Sequence, residues 1–422
     1  RQNGGRGLNY IEGLGQTAQK AKKSLATAST GQKNEILTRI AAKLLENQEQ
    51  ILAENEKDIA NARENGISET MVDRLRLTPE RIQGISDACI QLTNLEDPVG
   101  EIIEGSTRPN GMKISKIRVP MGVVGIIYES RPNVTVDAAS LCIKSGNAAI
   151  LRGGKEAICS NKVLMNTMRE AVAQCGFPED IVQLVEDTSR EVSTQMMQAN
   201  GLIDVLIPRG GAGLIQAVVK NATLPVIETG TGNCHIYVDA TADPAMAVNI
   251  TDNGKTQRPS VCNALETCLV HKDVAEEFLP MLKAKLDEHQ VEIRGCERTA
   301  AILGDCVVPA TEQDYATEFL DYIISIKVVD SVEEAIAHVS KYSTGHSECI
   351  VTESYANARK FQEEVDSACV YVNCSTRFTD GGEFGLGAEI GISTQKLHAR
   401  GPMGLKELTT MKYLICGDGQ IR

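Results

Sequence analysis

The chain has 422 residues, of which 42% are hydrophobic and 23% are charged, and its formal net charge is −13 at pH 7. This composition excludes an intrinsically disordered chain, and the acidic balance argues against nonspecific binding to nucleic acid or to an anionic membrane. No apolar run reaches the ~18 residues of a membrane span, and the N-terminus lacks the pattern of a secretory signal, so we expect a cytoplasmic protein whose partners are small molecules.

The thirteen cysteines and six histidines form no metal-binding or disulfide pattern. No CxxC pair occurs, and the histidines do not lie at ligand spacing from cysteines, so we predict no metal site. An odd number of cysteines in a long chain predicts free thiols in a reduced compartment. We expect most of these thiols to be buried as small apolar side chains.

The first predicted element is an amphipathic helix over residues 32–65. Its apolar residues recur at helical spacing: Leu37, Ile40, Leu44 and Ile51. Lysine, glutamate and asparagine fill much of the rest, which is typical of a helix with one buried face. We assign this segment to the scaffold.

Residues 100–120 predict a β-hairpin. The sequence GEIIEGSTRPNGMKISKIRVP contains two strand-like runs joined by Asn110 and Gly111, a dipeptide typical of hairpin turns. The apolar alternation changes phase between Ile114 and Ile117, so we predict a bulge in the second strand.

Strand and helix patterns then alternate from residue 123 to about residue 221. Four short apolar runs are each followed by a helical pattern: VVGIIYE, AAIL, IVQLVE and IDVLIP. This alternation predicts a parallel, doubly wound α/β sheet. The loops at the carboxyl ends of its strands should meet at one edge, where such sheets bind cofactors.

A second α/β lobe is predicted after Glu228 and extends to about residue 373, beginning with the strand-like HIYVD. The chain ends in an alternating run that contains Met411, Tyr413 and Ile415. A strand of this kind needs a partner edge for its backbone hydrogen bonds.

Cys262, in GKTQRPSVCNALET, is the first candidate for chemistry. Pro259 disfavours helix just before it, and Lys255 and Arg258 lie upstream. Cations near a thiol favour the thiolate, which is the nucleophilic form. The alternative is an ordinary loop cysteine, and the local sequence leaves both interpretations open. Glu228, in the Gly-rich loop between the lobes, is either a general base or an acceptor that orders its loop.

Three loops at the expected cofactor edge carry chemistry-bearing residues. In IPRGGAGLIQAV, Gly210 and Gly211 can offer backbone N–H groups to a phosphate or an adenine, although ordinary strand–helix turns have the same glycines. In LRGGKE, Arg152 and Lys155 either hold an anionic cofactor group or are solvated surface charges. In YESRPNVT, Asn133 is either a helix N-cap or an amide donor to an oxyanion.

Five strings in this order resemble the aldehyde dehydrogenase superfamily over essentially the whole chain: YESRPNVT, SGNAAILRGGKEA, QRPSVCNALET, VNCSTRF and GISTQKLHARGPMGL. They are closest to one branch, the reductases that act on L-glutamyl 5-phosphate in proline biosynthesis. In this resemblance Cys262 takes the position of the catalytic nucleophile, and Asn133 takes that of the asparagine that stabilises the oxyanion. The implied activity is NADPH-dependent reduction of L-glutamyl 5-phosphate to L-glutamate 5-semialdehyde through a thioacyl intermediate on Cys262.

The resemblance also implies the domain organisation. The implied parts are a Rossmann-like NADP-binding domain (8–99 and 120–235), an α/β catalytic domain (236–378), a small β oligomerisation unit (100–119 and 404–422) and a returning segment (379–403). We therefore expect a homo-oligomer, either dimer or tetramer. An association with glutamate 5-kinase, which makes the unstable substrate, is a further expectation.

The implied cofactor is NADPH/NADP. Where NAD-dependent members often hold the adenosine ribose with a glutamate, this chain has Lys155, and a cation there, with Arg152 beside it, favours a 2′-phosphate. Gly210 and Gly211 are implied cofactor contacts. Glu318 takes the position of the acceptor for the nicotinamide ribose, although its EFLD departs from the common E-x-F-G.

Substrate binding requires cations or oriented N–H donors for a phosphate and an α-carboxylate. The candidates are Lys255, Arg258, Ser375, Thr376 and Arg377. Glu228 matches the general base of hydrolytic members, but a reductase that acts on an acyl phosphate activates no water. Two alternatives stay open: another acylating or hydrolytic member of the superfamily, which uses coenzyme A or a free aldehyde, and a noncatalytic dinucleotide-binding protein.

Overall fold

The computed structural model describes residues 9–422. Its helices are α1 Tyr10–Ala26, α2 Thr30–Glu46, α3 Gln48–Glu64, α4 Glu69–Leu75, α5 Pro79–Thr93, α6 Pro132–Lys144, α7 Ile158–Gln174, α8 Arg190–Met197, α9 Ala212–Asn221, α10 Pro244–Thr256, α11 Lys272–Asp287, α12 Glu297–Leu303, α13 Glu312–Tyr315, α14 Val332–Tyr342 and α15 Tyr355–Glu364. Short 3₁₀ turns cover Lys155–Ala157, Glu179–Ile181, Gly304–Cys306, Thr376–Phe378 and Lys406–Leu408.

The strands alternate with these helices. They are β1 Ile102–Thr107, β2 Lys113–Pro120, β3 Val123–Tyr128, β4 Ala148–Arg152, β5 Val182–Leu184, β6 Val205–Arg209, β7 Cys234–Val238, β8 Leu265–His271, β9 Glu292–Gly295, β10 Val307–Pro309, β11 Ile323–Val329, β12 Ser347–Val351, β13 Cys369–Val372, β14 Gly391–Ser393, β15 Gly401–Met403 and β16 Thr409–Cys416. Across residues 9–422, every helix is too short or too polar to cross a membrane.

The chain folds into two compact units. The first comprises residues 9–228 with Leu386–Gly391 and Met403–Arg422, and the second comprises Thr229–Gly385 with Ile392–Pro402. The assignment of NADP binding, catalysis and oligomerisation to particular segments stays a prediction. Residue 8, the first of the predicted NADP-binding domain, lies outside the described residues.

The first unit contains the predicted doubly wound sheet. Its strands lie in the order β5-β4-β3-β6, and every neighbouring pair is parallel. Helices α1, α8 and α9 pack their apolar side chains on one face, and α6 and α7 cover the other. Because both faces are covered, all six residues of β3 are buried, as is typical of a parallel sheet.

The second unit contains a larger parallel sheet in the order β10-β9-β11-β8-β7-β12-β13. Helices α10, α11 and α12 pack on one face, and α14 and α15 pack on the other. The four strands β11, β8, β7 and β12 are neighbours, so the loops that precede them meet at the amino edge of the sheet. The candidate nucleophile lies in one of these loops.

The predicted hairpin is confirmed. Strands β1 and β2 pair antiparallel around Asn110 and Gly111, and the φ of Gly111 is +86°, a left-handed conformation that glycine adopts without strain. Strand β16 pairs along the other edge of β2, which gives the C-terminal run its partner. The position of the predicted bulge is wrong: the irregularity lies in β1, between Ile102 and Glu104, while β2 pairs with β16 without a break.

The single helix predicted over residues 32–65 is wrong, because α2 and α3 are separate. Asn47 ends α2 by donating its backbone N–H to Lys43 and begins α3 by accepting from Ile51. Its side-chain amide donates to the hydroxyl of Thr167 in α7 at 3.2 Å. This tertiary contact fixes the position of Asn47 between α2 and α3. The predicted apolar stripe is nevertheless buried, from Leu37 through to Ile51.

A buried histidine cluster lies under α14. The ring of His338 is 5.6 Å from that of His235, 5.0 Å from Tyr315 and 4.5 Å from Tyr342, measured between centroids. The pKa of His338 falls from its ordinary value of 6.5 to about 2, mainly because burial removes water from the charged form. His338 is therefore neutral in the folded protein at neutral pH.

Acidification should reduce the free energy of unfolding through His338. Between pH 6.5 and about 2 the unfolded chain binds a proton at this position that the folded chain does not bind. The contribution of His338 to stability is therefore complete above pH 6.5 and decreases below it, by about 1.4 kcal/mol per pH unit. Replacement of His338 by Gln should flatten the pH dependence of urea unfolding between pH 6.5 and 5, whereas replacement of the exposed His289 by Gln should not. Equal slopes in all three proteins would contradict this prediction.

Candidate active site

Cys262 lies in the loop between α10 and β8, at the amino edge of the second sheet, and its side chain is half-buried. Gly232, just before β7, and Cys234, the first residue of β7, fix its backbone. A Cβ atom at Gly232 would overlap the carbonyl group of Cys262, so only glycine permits this approach. The thiol of Cys234 donates to the same carbonyl at 3.2 Å. The position of the candidate nucleophile is therefore set by β7 as well as by its own loop.

Asn263, which the sequence analysis did not identify, fastens the other side of this loop. Its side-chain amide donates to the carbonyl of Thr379 at 2.9 Å, and its own carbonyl accepts from the hydroxyl of Thr376 at 2.8 Å. Asn263 thereby joins the cysteine loop to the 3₁₀ turn at Thr376–Phe378. The contacts span more than a hundred residues of sequence, so the local pattern VCNALET gives no signal of them.

Arg377 lies close enough to both Cys262 and Arg258 for their charges to act on its guanidinium group. Arg377 donates from Nε to the side-chain carbonyl of Gln257 at 2.9 Å, and from Nη1 to that of Asn263. Burial lowers the pKa of Arg377, and the positive charge of Arg258 lowers it further, whereas Cys262 acts in the opposite direction. Arg258 is exposed, and its side chain makes no hydrogen bond or ion pair within residues 9–422. An anion bound here would relieve the repulsion between the two cations.

Three of the predicted substrate ligands have structural contacts. Lys255 is fully buried in α10 and donates to Glu266 at 2.9 Å and to the carbonyl of Leu265 at 3.0 Å. The hydroxyl of Thr376 is buried against Asn263, as described above. These contacts argue against Lys255 and Thr376 as direct ligands, because their polar groups already have internal partners.

Ser375 is the third of these residues. Its side chain is buried and accepts from the backbone N–H of Arg377 at 3.3 Å, which caps the 3₁₀ turn. The hydroxyl only accepts in this contact and keeps its own O–H as a donor, so the assignment of Ser375 as a substrate ligand stays a prediction. Among the predicted substrate-binding cations, Arg377 is influenced by the charges of Cys262 and Arg258, and Arg258 lies in the same loop as Cys262.

Glu318 lies at the same amino edge, before β11. Its carboxylate accepts from the backbone N–H of Gly232 at 2.8 Å. Burial raises the pKa of Glu318, and this hydrogen bond opposes the shift. Glu318 thus contacts the same glycine that packs on the carbonyl of Cys262, and it orders the loop before β7.

The predicted cofactor residues lie at the carboxyl edge of the first sheet. Lys155, after β4, is exposed, and its side chain has no hydrogen bond or ion pair in the described part of the chain. Arg152 instead donates from Nη2 to the carbonyls of Thr188 and Ser189, at 3.0 and 3.2 Å. These bonds tie β4 to the segment before α8, so Arg152 has a structural role that the sequence analysis did not predict.

Gly210 and Gly211 lie where β6 turns into α9, as predicted. The backbone N–H of Gly211 donates to the carboxylate of Glu129 at 2.9 Å, and a Cβ at Gly210 would collide with the same side chain. Glu129 was not identified from sequence. A phosphate at this turn would therefore compete with a carboxylate for the N–H of Gly211.

Asn133 is exposed in the first turn of α6, directly after β3 and Pro132. Its side-chain amide donates to the carboxylate of Asp137, one turn along the helix, at 3.0 Å. Burial raises the pKa of Asp137 to about 6, and the bond from Asn133 opposes the shift. Asn133 thus lies within α6, so it is not the N-cap. Glu228 is half-buried at the end of the first unit.

The chain matches the family model described as "Aldehyde dehydrogenase family" over residues 10–304 and 307–414. The chain belongs to the aldehyde dehydrogenase family. This finding confirms the resemblance and the fold class that the sequence predicted. Enzymes of this family use nicotinamide cofactors, which fits the parallel sheet of the first unit.

Individual relatives and solved structures show which branch of the aldehyde dehydrogenase family this chain is most similar to among those compared. A protein named "Gamma-glutamyl phosphate reductase" from Carboxydothermus hydrogenoformans is 58% identical over 415 residues, which are 98% of this chain and 100% of that protein. One of the same name from Clostridium acetobutylicum is 57% identical over 98% of this chain and 99% of that protein. The crystal structure of Gamma-glutamyl phosphate reductase from Thermotoga maritima is 51% identical, has a TM-score of 0.96, and is covered over its full length by 98% of this chain.

More distant members of the aldehyde dehydrogenase family share the fold alone. The crystal structure of an acetylating aldehyde dehydrogenase from Geobacillus thermoglucosidasius is 17% identical, with a TM-score of 0.69 and coverage of 98% of each chain. At this identity the likeness carries no argument about substrate. The branch predicted from the five sequence strings agrees with the names of the relatives that are more than half identical.

Replacement of Lys255 by Met should destabilise the protein without a selective effect on substrate binding. The change leaves the buried Glu266 without its cation, and breaking such a pair costs about 3–5 kcal/mol. The double variant with Glu266→Leu should recover most of the free energy of unfolding, measured by denaturant titration. If the single variant instead unfolds like wild type and only its substrate KM rises, Lys255 is a ligand after all.

Proposed function

We propose that this chain reduces L-glutamyl 5-phosphate to L-glutamate 5-semialdehyde with NADPH and releases inorganic phosphate, in proline biosynthesis. The single observation that carries the proposal is the half-buried thiol of Cys262 in the same loop as Arg258, with the guanidinium group of Arg377 close enough for both of their charges to act on it. A nucleophile near two cations suits a substrate with two anionic groups. The names of relatives up to 58% identical over nearly the full chain support this substrate.

The first chemical step transfers the acyl group to the enzyme. The thiolate of Cys262 attacks the acyl carbon, a C–S bond forms, the bond from that carbon to the phosphate oxygen breaks, and inorganic phosphate leaves with the electron pair. Positive charge on Arg258 and Arg377 favours the thiolate and stabilises the leaving phosphate. Gly232 and Asn263 contribute by holding the loop of Cys262 in one conformation.

Negative charge develops on the acyl oxygen during this attack. We assign its stabilisation to the side-chain amide of Asn133 and to the backbone N–H of Cys262, and one well-placed donor contributes about 3 kcal/mol. When bound, NADPH supplies the hydride that reduces the thioester carbonyl. The C–S bond then breaks, the thiol of Cys262 recovers a proton, and the semialdehyde leaves. Because no water is activated, Glu228 has no general-base role in this reaction.

The residues of the first unit fit a phosphorylated nicotinamide cofactor. Lys155 is an exposed cation with no internal partner at the carboxyl edge of a parallel sheet, which suits the 2′-phosphate of NADPH. Gly210 and Gly211 would hold a phosphate group once Glu129 releases the N–H of Gly211. In the second unit, Glu318 would accept from the nicotinamide ribose in place of its bond to Gly232.

We also propose that the three-stranded sheet β1-β2-β16 mediates homo-oligomer formation. Its apolar side chains are unusually exposed for a single chain: Ile102 at 69%, Tyr413 at 59% and Ile415 at 59%. Exposed apolar side chains on both edge strands of one small sheet are typical of a protein interface. We place the reaction in the cytoplasm, because all thirteen cysteines are free thiols and Cys262 must stay reduced. Association with glutamate 5-kinase would shorten the path of a labile acyl phosphate.

The proposed reaction can be tested in reverse. Purified protein with glutamate 5-semialdehyde, in equilibrium with its cyclic form, and NADP⁺ should form NADPH only when inorganic phosphate is present. Cys262→Ala should abolish this turnover, whereas Cys159→Ala, in a half-buried thiol of α7, should retain it. NADPH formation is followed by absorbance.

Each of the other outcomes would indicate a different function for this chain. Turnover without phosphate would indicate a hydrolytic aldehyde dehydrogenase with Glu228 as its base. Turnover that requires coenzyme A would indicate an acylating member of the family. Absence of turnover under all three conditions would favour a noncatalytic dinucleotide-binding protein.

The cofactor assignment predicts that Lys155→Glu reverses the preference between NADPH and NADH. A carboxylate repels the 2′-phosphate and accepts hydrogen bonds from the free ribose hydroxyls of NADH. We expect the ratio of kcat/KM values for NADPH and NADH to fall by at least about tenfold, since the change replaces an attraction between charges by a repulsion. Lys20→Glu in α1 is the matched control for an exposed lysine. An unchanged ratio in the Lys155 variant would remove the assignment.

A further inference from the structure

Asn133 and Asp137 form an isolated polar pair on α6. They lie one helical turn apart, and the amide Nδ2 of Asn133 donates to Oδ2 of Asp137 at 3.0 Å. Asn133 is exposed, whereas Asp137 is half-buried. Within residues 9–422, Asn133 is the one side chain that hydrogen-bonds to this carboxylate. Most of the next two turns of α6 is buried and apolar or small, so Asp137 lies at the border between the helix core and the carboxyl edge of the sheet.

Asp137 is mostly ionised at neutral pH, although burial favours its neutral form. Burial raises its pKa to about 6, while the amide of Asn133 and the positive charge of Arg209 at the end of β6 lower it. Burial raises the pKa of the Cys89 thiol in α5, and the negative charge of Asp137 raises it further, so this thiol is protonated. The hydrogen bond from Asn133 is therefore a bond to a charged acceptor, which is stronger than a bond between neutral groups.

A carboxylate gives the amide of Asn133 a defined orientation. The amide has a donor end and an acceptor end of nearly equal size, and without a neighbour that distinguishes them it can rotate between the two. An ionised carboxylate only accepts, so it holds Nδ2 and leaves the second N–H of the same nitrogen for an outside acceptor. It also prevents the amide oxygen from taking the position of the donor.

We propose that Asp137 is a positioning residue that fixes the side-chain amide of Asn133 with its donor end toward the reacting acyl oxygen. This inference rests on the proposed function, in which Asn133 stabilises the oxyanion. The simpler alternative is a helix-stabilising pair of the kind that an amide and a carboxylate form at i, i+4 anywhere on a helix surface. Loss of the carboxylate should lower kcat if Asp137 positions Asn133, whereas it should lower only the stability of the helix if the pair is merely structural.

The test replaces Asp137 by Asn in the full-length protein. An asparagine of the same shape no longer selects the donor end of Asn133, so kcat in the phosphate-dependent reaction should fall by about tenfold or more with an unchanged KM. The thermal midpoint should stay at the wild-type value. The matched control is Asp87→Asn on α5, where Gln83 donates to Asp87 at 2.8 Å across the same i, i+4 spacing. This control should alter neither kcat nor KM.

A double-mutant cycle shows whether Asp137 acts through Asn133. Asn133→Ala alone should lower kcat by about 10²–10³-fold, as the loss of an oxyanion donor does. Adding Asp137→Asn to Asn133→Ala should then change kcat no further. Full additivity of the two changes would overturn the inference, as would a loss of thermal stability in Asp137→Asn that accompanies an unchanged kcat.

Crystal structures of the wild type and the Asp137→Asn variant provide a readout that does not need activity. The inference predicts that the side chain of Asn133 leaves its wild-type rotamer or occupies two conformers in the variant. A single, unchanged rotamer with an unchanged hydrogen bond would overturn it. If the wild type lacks phosphate-dependent turnover, the proposed function fails, and with it the claim that Asp137 orients the amide toward an acyl oxygen. If the wild type is active but the two changes are fully additive in the double-mutant cycle, only the positioning role of Asp137 is overturned.

Discussion

The contact between Gly232 and the carbonyl of Cys262 is the constraint on which the candidate site depends. It requires β7 and β8 to be parallel neighbours whose first residues lie level with each other. The pairing of these strands shifts between Cys234 and His235, which leaves Glu266 as an extra residue on β8. Bulges of this kind redirect a side chain, and Glu266 here pairs with Lys255 beneath the loop. The position of the thiol therefore depends on a fully buried ion pair.

The predicted cationic ligands differ in whether their side chains hydrogen-bond to other groups of the protein. Those that do have a structural role, and those that do not are the better candidates for binding an anion. Lys255 donates to the carboxylate of Glu266, and Arg152 donates to two backbone carbonyls of its own unit, so each has internal hydrogen-bond partners. Arg258 and Lys155 are exposed, and neither side chain has a polar partner in the portion of the chain that the structure describes. In sequence these four residues are equivalent, since each is a cation close to a glycine or a proline. Burial distinguishes them, and burial is decided by packing over long sequence distances.

The sequence predicted the parts of the fold that depend on local pattern. Alternating apolar runs located β3, β4, β5 and β6, and Asn110-Gly111 located the hairpin, because strand burial and turn conformation follow from neighbouring residues. The site was predictable only where a resemblance to a known family supplied it, as for Cys262. Asn263 and Glu129 were missed because their contacts lie 116 and 82 residues away in the chain. The break at Asn47 was missed for the same reason, since it is fixed by Thr167.

A polar layer beneath the amino edge explains how the loops of the candidate site keep their places. His235, Thr267, Ser325 and Glu348 are fully buried and lie side by side on neighbouring strands. Glu348 accepts from both the backbone N–H and the ring Nδ1 of His235, at 2.8 and 3.0 Å. Apolar residues of similar volume would stabilise the core at least as well. The hydrogen bonds between Glu348 and His235 are directional, so they fix the register of β7 against β12. Gly232 and Cys234 lie within three residues before His235. That register therefore determines where the carbonyl of Cys262 is held.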